Sequence, residues 1–310
     1  MKKNMINAVH IEGILYSHSL EAKVSGENSK NPGTPYIAGT IDVATNDEQT
    51  NVVSVHFTYV TPAYSSGKSN PNYNILADII AGKVKNATEH GADIAAKLRI
   101  DSAIGLNEFY SDRNGTEELV SVKRNEGGFI HIVNKIDDDE KKRSTFTTDM
   151  VITNVTHVDA DDERNLPEKV KVKGCIFDFR NALLPVEFSA TSQGAMNYFE
   201  GLGVSNKEPV FTKVWGREES TTITRTITEE SAFDEPMVRE VSSTRRDFVI
   251  TGALTEPYDW DDESTITAAE LTKAMTDRQT YLASIKQRQD EYKASQGQKA
   301  TDVTKGKFDF

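Results

Sequence analysis

Rings and cations alternate along two stretches of this chain in a pattern suited to base stacking and phosphate contact. Between Lys169 and Phe179, Val170, Val172 and Ile176 share one parity, while Lys169, Lys171, Lys173, Phe177 and Phe179 share the other. Between Val210 and Arg217, Val210, Thr212 and Val214 alternate with Phe211, Lys213, Trp215 and Arg217. A strand sends successive side chains to opposite faces, so each stretch reads as a wall that is aliphatic inside and aromatic and basic outside. An apolar ring on an outer face calls for a cover. A nucleobase supplies one by stacking, worth about 1–3 kcal/mol per base, while neighbouring Lys and Arg meet phosphates. The competing reading is that a bulge at Gly174 swaps the parity, or that a helix or a second subunit covers the rings.

Nearer the N-terminus the pattern is mixed. Tyr36 and Phe109 fall on the outer parity of their strands, and Lys97, Arg99, Lys123 and Arg124 could line a groove. Arg113, at a hairpin tip, could reach a phosphate. Phe57 and Tyr59 share parity with Val53 and Val55, so alternation assigns both to the core.

Other chemistry has little to stand on. The histidines show no metal spacing, and Cys175 is the only cysteine. That excludes an internal disulfide, is compatible with a reducing compartment and reads as a buried structural thiol. No P-loop, nucleophile elbow or dinucleotide fingerprint is present. Asp159, Asp161, Asp162 and Glu163 lack a defined ligand order and read as a solvated loop. The expectation is a protein that is not an enzyme and needs no cofactor or metal.

The elements that must carry these residues are mostly strands. Tyr36 to Thr61 reads as two long antiparallel strands around Asn46-Asp47-Glu48-Gln49. Ile37, Ile41 and Val43 lie on one face, with Gly39 among them. A strand from Ala8 precedes this hairpin, with Gly13 marking a bend. Residues 25–35 and 62–71 are turn chemistry. Ile75, Leu76, Ile79 and Ile80 then predict a short amphipathic helix plugging a barrel. Strands from Ala95 and Leu119 follow, joined through Asn114-Gly115. Three strands, a helix and two strands suit a five-stranded barrel of the oligonucleotide-binding (OB) kind. The same order recurs after residue 145.

The expected fold is therefore mainly β: two tandem OB-fold-like five-stranded barrels with a C-terminal helix and a disordered tail. Residues 1–136 form the first barrel and 137–144 a charged, solvated linker. Residues 145–262 form the second barrel, 263–293 a helix and 294–310 a flexible tail. Thr267 and Glu270 make a capping box. Leu271, Met275, Leu282, Ile285 and Tyr292 form an apolar stripe that would pack on the second barrel.

Charge narrows the function classes. The net charge is −12, with residues 1–135 at −2, residues 136–265 at −12 and residues 266–310 at +2. Simple electrostatic coating of nucleic acid is disfavoured, but a locally basic groove survives because screening isolates charges beyond about 10 Å. No signal sequence or membrane-spanning apolar run is found, so a cytoplasmic protein is expected.

The first region resembles bacterial and phage single-stranded DNA-binding proteins. The resemblance rests on Val9-His10-Ile11-Glu12-Gly13-Ile14-Leu15, Thr40-Ile41-Asp42-Val43-Ala44-Thr45 and Val52-Val53-Ser54-Val55-His56-Phe57. The helix Ile75-Leu76-Ala77-Asp78-Ile79 and the strand Leu98-Arg99-Ile100-Asp101 follow in the family's order. It covers about the first 130 residues through short, degenerate segments. It implies an OB barrel that coats unpaired strands in replication or recombination, with single-stranded DNA as partner and Phe57 at a stacking position. It also implies a tail tip that recruits replication or recombination proteins, here Phe308-Asp309-Phe310, although Lys299, Lys305 and Lys307 make this tail basic. The second barrel departs from the usual bacterial form and suits a phage-encoded protein acting in host cytoplasm. A homo-oligomer is compatible. The alternative is a protein-binding or virion-assembly adaptor built on the same barrels.

Overall fold

The computed structural model describes residues 5–27, 29–113, 116–161, 166–205, 207–229, 233, 237–260 and 266–304. The first half of the chain contributes β1 (Asn7–His18), β2 (Glu21–Val24), β3 (Pro35–Ala44), β4 (Val52–Val60), α1 (Pro71–Ile80), α2 (Ala87–His90), β5 (Lys97–Arg113) and β6 (Thr116–Ile132). After a 3-10 turn come β7 (Ser144–Val158), β8 (Lys169–Phe177), β9 (Leu183–Ala190), α3 (Gln193–Gly201), β10 (Val210–Glu229), β11 (Met237–Ala253) and α4 (Ala268–Thr304).

Pairing closes two five-stranded barrels. In the first, the order β1-β5-β6-β4-β3 returns to β1; in the second, β7-β8-β9-β11-β10 returns to β7. Each barrel has a single parallel contact, β4 with β6 and β9 with β11, and each carries a helix between its third and fourth strands. This is the OB connectivity, found twice. Antiparallel pairing of β1 with β7, from Asn7↔Thr148 to Ile11↔Ser144, joins the barrels into one eleven-stranded sheet.

Local chemistry accounts for the plugs. Asn70 accepts a hydrogen bond from the Asn72 backbone N–H and Pro71 occupies the first turn, where its missing N–H costs nothing. Leu76 and Ile79 then enter the core. Ser192 caps α3 in the same way, and Met196 and Phe199 are its buried face. One hydrophobic core runs through both barrels, with Phe146, Phe188 and Phe248 clustered at centroid separations of 5.1–5.8 Å. Gly13 lies so close to the Ala44 carbonyl that any Cβ there would collide with it, which lets β1 curve between β3 and β5.

Both barrels extend a long hairpin that packs on the other. The β5–β6 arm brings Lys123 onto the second barrel. Its amine donates to the Glu187 carbonyl and lies 5.2 and 5.3 Å from the Phe188 and Phe248 ring centroids. The β10–β11 arm brings Glu218 against the first barrel. There Asn125 Nδ2 donates to its carboxylate at 2.6 Å, and Asn51 Nδ2 and Ser144 Oγ donate to its carbonyl. Burial pushes the Glu218 carboxyl up to about 7 even though Asn125, Arg246 and Lys123 favour its charged form.

The segments outside the barrels depart from expectation. In the charged run, Asp137 to Lys142 are exposed, as a solvated linker would be, but Arg143 departs from that reading. Arg143 is buried and donates to the Asp137 carbonyl and to Asp47 Oδ1, both at 2.6 Å. Thr267 and Glu270 do form the capping box. Leu271 and Ala274 pack on the second barrel, but Met275 and Tyr292 of the expected stripe are exposed. Farther along, α4 runs beside the β5–β6 arm through polar contacts: Arg278 with Glu108, Gln289 with the Tyr110 backbone, and Lys286 and Lys293 with Glu117. Helix continues to Thr304, past the expected end near residue 293. Phe308, Asp309 and Phe310 lie outside the described residues, as does the Asn114-Gly115 turn.

Candidate nucleic-acid interface

On the first barrel, the outer face of β3 and β4 presents two rings. Tyr36 and Tyr59 lie with centroids 4.5 Å apart, tilted by 36°, and Tyr59 is 46% exposed. Lys23 on the edge strand β2 stands in register with Tyr36 and pairs with Glu21 at 2.7 Å. Along the same face, Thr40 Oγ1 and His56 Nδ1 are 3.3 Å apart, and Ser17 and Ser54 donate to Asp42 at 2.8 and 2.5 Å. Arg124, on the neighbouring β6, donates to Glu126 at 2.6 Å. Burial, helped by the Arg124 charge, lowers the His56 pKa and favours a neutral imidazole.

Tyr59 is here because of a bulge. Gly39 opposes Phe57, but the next pair is Ile37 with Val60, so β4 carries one residue more than β3. Parity reverses after Phe57. Phe57 stays in the core, 1% exposed, and Tyr59 turns outward, contrary to simple alternation. The stacking position that the resemblance gave Phe57 is therefore sealed, and Tyr59 was missed. Its signal was Gly39 inside an otherwise regular strand: at φ 133°, with Cβ space filled by Ser19 and Leu20 backbone, only glycine fits.

On the second barrel the predicted parity holds but exposure does not. Val170, Val172, Ile176 and Val214 enter the barrel core. Phe177 and Phe211 point away from it, yet are 0% and 1% exposed. They belong to a second cluster with Met5, Val151, Cys175, Ile266 and Ala274. The chain after β11 folds back over them: Tyr258 and Trp260 stand 4.9 and 5.5 Å from the Phe211 ring, and Tyr258 donates its hydroxyl to Asp149 at 2.9 Å. Phe177 is thus corrected from a stacking ring to a covered one. Cys175 lies in the same cluster, and burial pushes its thiol up to about 12.

The cations divide similarly. Lys171 and Lys173 both pair with Glu187, at 3.1 and 3.3 Å, and Arg217 with Glu219 at 3.0 Å. Lys169 is buried against Asp247 and Ser189, each at 3.0 Å. Lys123 is corrected from groove residue to half-buried contact between the barrels, its pKa lowered by burial against the pull of Asp247, Glu187 and Glu218. Lys97 is exposed and lines a recess of about 330 Å³ with Lys135 and Asp47. Arg99 is half-buried, in register with Glu12 and His131. Lys213 is half-buried opposite Asp149. Phe109 is 41% exposed, Trp215 39% with its indole against Gly252, and Phe179 75%. Arg113 ends β5. These residues do not form one surface: the first barrel gathers Tyr36 with Tyr59, and Phe179 opens into a separate cavity.

Among the described residues no group of His, Cys, Asp and Glu is assembled to hold a metal, and no helix is long and apolar enough to cross a membrane. What the molecule presents is a tandem OB-barrel protein whose first barrel carries the Tyr36–Tyr59 pair on its outer face. It belongs to the YorF family, whose model matches residues 5–288. Among solved structures, a deletion variant of the single-stranded DNA-binding protein from Thermus aquaticus is similar, with a TM-score of 0.43 and 8% identity over 83% of this chain and 97% of that one. No curated protein matches.

Proposed function

We propose that this protein binds single-stranded DNA, with unpaired bases stacking on Tyr36 and Tyr59. The observation that carries this reading is the tyrosine pair on the outer face of β3 and β4, exposed Tyr59 beside half-buried Tyr36. In OB barrels the second and third strands are the face that takes oligonucleotides, and β3 and β4 hold those positions here. Stacking tolerates any sequence because every base has a π-face, so the protein would coat strands rather than read them. Such a role is passive and asks for no catalytic group. Coating and protecting strands in replication or recombination, in a host cytoplasm during phage infection, is the role that fits it.

Fluorescence anisotropy with labelled oligo-dT at several salt concentrations tests the reading. Binding that weakens as salt rises, and weakens further in Tyr36→Ala and Tyr59→Ala, is the expected result. No binding at low salt, or binding indifferent to both substitutions, overturns it. The adaptor reading draws on a different observation: Lys171 and Lys173 of the second barrel share the Glu187 carboxylate and Arg217 pairs with Glu219, so most of their charge is already offset. That barrel would then serve a protein partner, and pull-down resistant to nuclease would favour it.

A further inference from the structure

A cavity of about 630 Å³ lies where three parts of the chain meet: β5 of the first barrel, the loop between β8 and β9, and α4. Its volume falls in the range of about 300–1,000 Å³ typical of small-molecule sites. Phe179, 75% exposed, and Tyr281, 47% exposed, both line it. So does Arg278, whose side chain is only one-tenth exposed. The terminal nitrogens of Arg278 are held by Glu108, but its Nε is buried with no hydrogen-bond partner. Asn181 Oδ1 is likewise buried and unpartnered. Most buried polar groups are satisfied, so an unpaired donor and an unpaired acceptor on two residues that line one cavity call for an explanation.

The cavity is held in shape from both sides. Asp178 accepts from the Arg180 and Ala182 backbone N–H groups at 2.8 and 2.7 Å, and the Asn181 N–H donates to the Asp178 carbonyl at 2.9 Å. That turn places Asn181 at φ 60° and sets the Arg180 guanidinium over the Phe179 ring at 4.9 Å. Opposite, the Arg278 guanidinium lies 5.8 Å from the Tyr281 ring centroid. Arg180 and Arg278 face Glu108, Glu126, Asp178 and Asp277 around the lining, so the interior offers no net positive charge for a phosphate. An uncharged planar ring carrying both a donor and an acceptor on its edge fits these walls.

We propose that this cavity is a nucleobase pocket, in which Phe179 and Tyr281 stack on the ring and Asn181 and Arg278 meet its edge. The pocket deepens the single-strand reading when the base belongs to a strand, and it stands apart from that reading when the base belongs to a free nucleoside.

The test uses 2-aminopurine, whose fluorescence is quenched by stacking, both as the free nucleoside and as single substitutions within oligo-dT. It is run on the full chain and on Phe179→Ala, Arg278→Lys and Asn181→Gly. Phe179 is exposed, lysine keeps a cation against Glu108, and glycine accepts the positive φ, so these variants are chosen to fold; circular dichroism checks that they do. Expected is saturable quenching in the wild type, with the apparent Kd raised at least fivefold in Phe179→Ala and in at least one of the two polar variants. Quenching of the nucleoside identifies a free base as ligand; quenching only within oligo-dT identifies a strand base. Quenching absent from both arms, or equal in wild type and Phe179→Ala, overturns the pocket. Anisotropy of end-labelled oligo-dT without 2-aminopurine, run in parallel, separates the two ideas. Strand binding without Phe179-dependent quenching removes the pocket alone. Nucleoside quenching without strand binding removes the single-strand reading alone.

Discussion

The two barrels have the same strand order, the same parallel contact and a helix in the same place, yet they differ in what lies outside their walls. On the first, Tyr36 and Tyr59 stand open on the outer face of β3 and β4. On the second, Phe177 and Phe211 also point outward, but residues after β11 cover them, with Tyr258, Trp260 and Ala274 as the lid. Strand alternation assigns a side chain to one side of a wall. It says nothing about what the rest of the chain lays over that side. The second barrel thus docks the chain's own C-terminal segment over part of its outer wall, leaving Trp215 39% exposed, whereas the tyrosine pair of the first barrel has no such cover among the described residues.

Substitutions can break or sharpen this contrast. The largest effect belongs to Phe211→Ala. Removing a fully buried ring is expected to cost about 3–5 kcal/mol of unfolding free energy, measured by urea denaturation. The exposed Tyr59→Ala should cost under about 1 kcal/mol. Equal costs would erase the distinction between covered and open rings.

The next effect lies between the barrels. The Glu218 carboxyl is raised to about 7 from 4.5 by burial, so the folded protein holds a proton that the unfolded chain releases. Its contribution is neutral below about pH 4.5. Stability then falls as pH rises toward 7, by up to about 3 kcal/mol, because the folded state binds more protons across that window. Glu218→Gln should match the wild type near pH 4 and exceed it by a few kcal/mol at pH 8, since glutamine keeps the acceptor for Asn125 without the charge. Parallel stability curves for the two proteins between pH 4 and 8 would refute the assignment.

Binding effects are smaller. Tyr36→Ala or Tyr59→Ala should each weaken oligo-dT binding by about 1–3 kcal/mol, roughly 5- to 150-fold, in anisotropy titrations. Lys173→Ala should change affinity less than about twofold at physiological salt, because Glu187 already offsets that charge and exposed pairs contribute little. A tenfold loss there would place DNA on the second barrel after all.

Much of the fold was legible because its signals are local. Period-two alternation marked β3, β4, β8 and β10; Ile75, Leu76, Ile79 and Ile80 marked the first plug helix, and Thr267 with Glu270 marked the start of α4. The order of strands and helix carried the OB connectivity twice. The candidate site was legible only in part. Tyr36 was read correctly as an outward residue, but Tyr59 was hidden by a single extra residue in β4 that reverses the pattern. Lys123 carried no mark of burial, since a lysine on an outer parity looks the same whether solvent or another barrel faces it.

The sequence by itself determined which residues form strands, which face of each strand is aliphatic and in what order the elements follow, because these depend on neighbours a few positions away. The tertiary structure alone decided which outward rings are bare, which cations are already paired and where Phe179, Asn181 and Arg278 come together around a cavity. Exposure and charge compensation are set by chain segments as much as 176 residues distant, and only folding brings those segments into contact.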